Sequence, residues 1–134
     1  MAAITVTAAQ VSVLHPEKAM IYDFIAAEAL TPGQAVYINS NGKVAKADAT
    51  TNKQVKGLAL AAASAGQGVS ILKEGYIVGL DMSGMAYDAQ IMLSSTAGGL
   101  DTTGTILIGR VVSVPDKAIT KAAFIFVDWV PTRS

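Results

Sequence analysis

Two stretches of this chain carry nearly the same strand–turn–strand grammar, and that doubling constrains the fold more than any other feature. "PGQAVYINSNGKV", Pro32 to Val44, places a β-branched run between a Pro-Gly turn and an Asn-Gly turn. About fifty residues on, "YDAQIMLSSTAGGL", Tyr87 to Leu100, repeats much of that arrangement. The overlay continues, with "GLALAAASAGQGVSIL" matching "GRVVSVPDKAITKAAFIF", and each half ends near an acidic residue, Glu74 or Asp128. The offset drifts between about 52 and 57 residues, which excludes a solenoid of fixed period and leaves two similar β-meanders.

The rest of the chain is compatible with strands. Ile4, Val6 and Ala8 alternate with Thr5 and Thr7, and Val11 and Val13 resume the pattern, as in a strand or an extended arm. "HPEKAMIYDFIAAEAL" is ambiguous. Its propensities and the stripe of Met20, Ile21, Phe24 and Ile25 favour helix slightly. A strand would instead set Ile21, Asp23 and Ile25 on one face and Met20, Tyr22 and Phe24 on the other. Beyond Leu30, strands are expected at 36–38, 43–47 and 57–60, at 69–72 closed by a Lys73-Glu74-Gly75 turn, and then at 76–78. The second half predicts strands at 91–93, 106–108, 111–114 and 124–127. Short strands with a turn every ten residues or so favour a small barrel or sandwich. The fold class is therefore all-β: a single-domain β-barrel or β-sandwich of two similar meanders, with an extended N-terminal arm. The divisions are an arm over 1–17, a barrel-like body over 18–128 and a tail over 129–134.

A chain of 134 residues is one domain and buries roughly two-thirds of its unfolded surface. Its apolar fraction of 51% includes 23 alanines, and only eight residues are aromatic, so close packing of small side chains matters more than large anchors. Ten basic residues balance ten acidic ones, which gives no long-range attraction to nucleic acid and weakens self-repulsion, a balance suited to assembly. Without cysteine, disulfides and thiolate metal sites are excluded. "MAAITVTAAQ" lacks the pattern of a signal peptide, and no apolar stretch is long enough for a membrane helix.

Reactive chemistry is sparse. The one histidine, His15, precedes Pro16 in a loop and has no nucleophile-elbow serine to serve. Asp81, Asp88, Asp101, Asp116 and Asp128 are scattered beside turns without a calcium-loop pattern, so no metal or other cofactor is expected. Lys43, Lys46, Lys53 and Lys56 cluster in "NGKVAKADATTNKQVKG". With only Tyr37 nearby and Asp48 interrupting, they read as a solvated hairpin face, or one that pairs with an acidic protein surface, rather than as a single-strand nucleic-acid groove.

"EALTPGQAVYINSNGKVAKADAT", "KGLALAAASAGQGVSILKEGYIV", "GMAYDAQIMLSSTAGGL" and "IGRVVSV" together resemble phage and prophage capsid decoration, or head cement, proteins. The resemblance spans roughly Ala26 to Val114. It implies a small β-barrel-like, non-enzymatic structural protein, made in the host cytoplasm and placed on the outer capsid surface of the virion, where it stabilises the head. It implies the major capsid protein and neighbouring copies of itself, as a trimer, as partners, and neither nucleic acid nor membrane. It also tilts Met20 to Ala26 toward strand.

Such a protein needs extended segments able to join a neighbour's sheet. The arm supplies candidate contacts: Ile4 and Val6 inserting apolar side chains, Thr5 and Thr7 facing out, and Val11 and Val13 beyond them. Trp129 and Val130, beside Pro131, are candidates at the other end, where the tryptophan fits equally a cap on the open end of its own barrel. Removal of residues 2–12 is then expected to weaken attachment and leave the barrel folded. A carbohydrate-binding or host-adhesion β-module is the alternative, disfavoured by the scarcity of aromatics, and a hydrolase on a β-scaffold is a third.

Overall fold

The computed structural model describes residues 3–14, 19–52, 54–82, 84–104, 106–113 and 121–127. Its strands form one curled antiparallel sheet, with a short 3-10 turn at Ala8–Gln10. In chain order they are β1 (Ser12–Leu14), β2 (Met20–Ile25), β3 (Ala35–Ile38), β4 (Val44–Lys46) and β5 (Val55–Ala59). There follow β6 (Gly68–Val78), β7 (Gln90–Leu93), β8 (Leu100–Asp101), β9 (Leu107–Val112) and β10 (Ala122–Phe126).

The eleven-residue β6 organises the rest. Leu72 pairs with both Ile21 and Leu58, so β2 and β5 lie on opposite edges of β6. Glu74 pairs with both Met20 and Phe126, and Ile77 with both Val13 and Ala123. A strand residue has one partner per edge. Hence β1 and β2 run in line along one edge, while β5 and β10 share the other. From β5 the sheet continues to β3 and β4; from β10 it continues to β9, β7 and β8.

Each branch curls around its own core. The first core gathers Ala26, Val36, Val44, Ala59, Val69 and Ile71. The second gathers Leu58, Leu72, Ile77, Ile91, Leu93, Ile108 and Ile125. β3, β5 and β6 contribute to both, through Val36 and Ala35, Ala59 and Leu58, and Ile71 and Leu72. They form a wall buried on both faces, which is why "GLA", Gly57 to Ala59, reads as a continuous apolar run instead of alternating. The N-terminal third closes both branches. Ala26 bridges Val44, with the Ala27 N–H donating to the Val44 carbonyl at 2.7 Å. Ala3 bridges Asp101, and the Ile4 N–H donates to the Leu100 carbonyl at 2.9 Å.

The doubling seen in sequence persists down to single hydrogen bonds. Gly33 N–H donates to Ala59 O at 2.8 Å and Ala59 N–H to Gln34 O at 2.8 Å. In the second meander Asp88 N–H donates to Val111 O, and Val111 N–H to Ala89 O at 2.9 Å. Asp48 Oδ1 accepts the Thr50 N–H at 2.9 Å, and Asp101 Oδ1 the Thr103 N–H at 3.1 Å. The register shifts once in each, between Val36 and Tyr37 and between Ile91 and Met92, and each shift falls beside a glycine, Gly57 or Gly109. A Cβ on Gly57 would lie 2.2 Å from Leu72 O, and one on Gly109 2.3 Å from Phe124 O. Only hydrogen fits either position. Where the first meander has Gly33 at φ 89, the second has Asp88 at φ 66, an aspartate accommodated by Arg110, which donates to the Asp88 carbonyl at 2.8 Å.

Two expected breaks are absent. No turn interrupts β6 at Lys73–Gly75, because those residues are laddered by Met20 on one edge and by Phe126 and Val127 on the other. The predicted strands 106–108 and 111–114 are one strand, β9, running through Gly109; Val114 lies outside the described residues.

Candidate interaction surface

Polar side chains mostly serve the local fold. No group of three or more His, Cys, Asp or Glu side chains gathers among the described residues. Asp48 accepts N–H bonds from Thr50 and Thr51 and the Thr50 hydroxyl, and these hold its carboxyl below the usual value of 3.8. Lys43 is exposed, the backbone N–H of Lys46 donates to Glu28 Oε2 at 2.9 Å, and Lys53 lies outside the described residues. Tyr87 is more than half exposed, with the Lys121 ammonium 5.4 Å from its ring centroid.

The candidate contacts of the arm are brought onto the chain's own body. Ile4 is only 7% exposed and packs into the second core of its own chain. Val6, Val11 and Val13 are half-buried against the same core. Thr5 and Thr7 are exposed, yet their backbones are held: Asp81 N–H donates to Thr5 O at 2.8 Å, and Thr7 N–H to Gly79 O at 2.8 Å. From Ile4 to Thr7 the alternation runs as read, with its apolar side facing inward, before the 3-10 turn at Ala8–Gln10 interrupts it. The physical reason is the open end of the second meander, which β8, two residues long, does not cover by itself. Trp129 and Val130 lie outside the described residues.

The exposed apolar surface is elsewhere, on β2. Met20, Ile21, Tyr22 and Ile25 are 38–43% exposed, all on one six-residue strand. The register fixes which of its backbone groups point outward. Ser70 O accepts the Leu60 N–H on the β5 side of β6, so Ser70 turns its backbone away from β2. Its partner Asp23 must likewise turn away from β6, and Ile21 and Ile25 with it. The N–H and C=O groups of Ile21 and Asp23 form an edge that no described strand covers, while at Ile25 that edge runs into β4, where Val44 bridges Ala26 and accepts the Ala27 N–H. On the outer face Asp23 stands between the two isoleucines, its Oδ1 accepting the Ser70 hydroxyl at 2.8 Å. β1, in line with β2, is likewise paired only with β6, whereas β4 and β8 are covered further. Beyond β4 lie the Ala26 bridge and Glu28, and beyond β8 lie Ala3 and Ile4.

β2 was the ambiguous segment in sequence. Its type could be argued there, but its exposure could not, because alternation does not reveal which sheet edge stays uncovered. The half-buried row Tyr76, Phe124 and Phe126, with centroids 5.0 and 5.6 Å apart, was also not foreseen as a group. It flanks the start of β2 through the Phe126–Glu74–Met20 row.

No curated protein matches the chain. A family model described as phage cement protein matches residues 5–74, which is 70 of the 134 residues. The match takes in β1, all of β2, the first meander and β6 as far as Glu74. A match over more than half the chain, on the segment that carries the open edge and the wall between the two cores, places this chain in the phage cement protein family.

Proposed function

We propose that this protein binds the outer surface of a phage capsid and stabilises the head, with the major capsid protein as its principal partner and a trimer of its own copies as the attached unit. Family membership supports a capsid-associated, structural role on the virion. The observation that carries the finer reading is the exposed, mostly apolar strand β2, whose outer edge is uncovered from Ile21 to Asp23 inside the family-matched segment. Exposed apolar edges of this kind are avoided in proteins that work alone and are used for pairing with a partner. Binding repeated over a symmetric shell multiplies weak contacts into firm attachment, so no single large anchor is needed.

The test is co-sedimentation of the purified chain with empty, expanded heads assembled from the major capsid protein of the same genome. Saturable binding at a stoichiometry matching the shell's symmetry, with raised heat resistance of the heads, is expected. Absence of binding to both expanded and unexpanded heads would refute the proposal.

A further inference from the structure

We infer that the uncovered edge of β2 is a strand-addition site for an extended segment of the capsid shell protein, in which a lysine or arginine facing Asp23 is flanked by apolar residues. The inference rests on the capsid-binding role proposed above and specifies its chemistry. Ile21 and Asp23 direct their backbone N–H and C=O groups outward, and Ile25 its N–H, so an incoming strand finds a short hydrogen-bonding ladder that ends where Val44 bridges Ala26. Their side chains share one face in the order apolar, acidic, apolar. A cation opposite Asp23 and apolar residues two positions to either side would complement that face. Asp23 forms no ion pair among the described residues, and the Ser70 hydroxyl holds its carboxylate beside the edge.

The same pattern opposes a second copy as the occupant. Outward-facing residues of β2 pair only with outward-facing residues, so an antiparallel β2–β2 pair has few registers. The one that sets Ile21 against Ile25 puts Asp23 directly against Asp23. Registers displaced by two residues set each Asp23 against an isoleucine. Like charges directly opposite destabilise a strand pair, and a charge within an apolar edge is a recognised guard against self-association. A foreign strand with a central cation meets neither penalty.

Two substitutions separate the possibilities. Ile25→Pro removes an outward N–H while leaving the β2–β6 ladder its donors, as proline is tolerated on an edge strand with its nitrogen outward. Asp23→Lys inverts the charge without touching the backbone. Binding to the expanded heads is measured over a range of salt concentrations, alongside hydrogen exchange of β2 in free and head-bound protein. We expect each variant to bind at least about tenfold more weakly. Wild-type binding should weaken with salt, binding of the lysine variant should not, and exchange at Ile21, Asp23 and Ile25 should slow on attachment. Should Ile25→Pro fail to fold, Asp23→Lys decides. Wild-type binding matched by both variants, or unslowed exchange in β2, would overturn the inference and leave the capsid role standing. A wild-type dimer dissociated by Ile25→Pro would assign the edge to a second copy and also overturn it. Wild-type protein that binds no heads would instead remove the capsid role itself.

Discussion

The close approach of backbones at Gly57 and Gly109 yields a paired prediction. In Gly57→Ala the added methyl would sit 2.2 Å from the Leu72 carbonyl oxygen and 2.7 Å from Ile71 Cγ2, so the wall between the two cores must part. Gly109→Ala meets Phe124 O at 2.3 Å in the second meander. Neither obstacle is the mobile end of a side chain. Overpacking of this kind costs roughly 1–3 kcal/mol. At Gly57 the φ of 154° adds backbone strain of about 1–3 kcal/mol for any residue with a Cβ. Gly42→Ala and Gly66→Ala are the controls: φ is 78° and 89°, nothing lies within 4 Å, and the left-handed backbone alone costs about 1 kcal/mol. An unfolding entropy of about 2.1 cal/mol/K per residue makes each kcal/mol worth about 3–4 °C in a chain of 134 residues. Thermal unfolding followed by circular dichroism should therefore drop by about 4 °C for the controls, about 4–10 °C for Gly109→Ala and further for Gly57→Ala. A Gly57→Ala protein that melts with Gly42→Ala would refute the shared wall and the matched bulges that create it.

Two further outcomes follow from how the ends and turns are held. Ile4→Ala should destabilise by about 2–4 kcal/mol, and removal of residues 2–12 by more, because Ile4 belongs to the second core and the arm closes β8; chemical denaturation checks this, and unchanged stability would restore a free arm. Asp48 accepts N–H and O–H bonds that lower its pKa, so its contribution is full above the ordinary 3.8 and fades as pH falls through the lower folded value. The melting gap between wild type and Asp48→Asn should thus hold at neutral pH and narrow only below 3.8; a gap that persists into stronger acid would show that the Thr50 and Thr51 bonds do not set it.

Much of the architecture was legible in the residues themselves. β-branched runs bounded by Pro-Gly, Asn-Gly and Gly-Gly place β3, β4 and β7 within a residue or two, because turn chemistry and strand period are local properties. The two meanders were visible as matched spacing, and they match in the structure at the level of single donors and acceptors. What sequence could not decide is what each strand lies beside. Lys73-Glu74-Gly75 looks like a turn, yet partners on both edges draw it into β6. Ile4 has the same local pattern whether its arm is loose or docked, and only the short β8 makes docking favourable. Met20 to Ile25 leans toward helix on local propensity; it is a strand because β6 pairs with it along its length, and its other edge is open from Ile21 to Asp23 because no described strand reaches it there. Local periodicity and turn residues determined that most of this chain forms strands and where most of them turn. Tertiary pairing decided which edges close, since an edge is covered or left open by residues far away in the chain, and that left β2 facing outward.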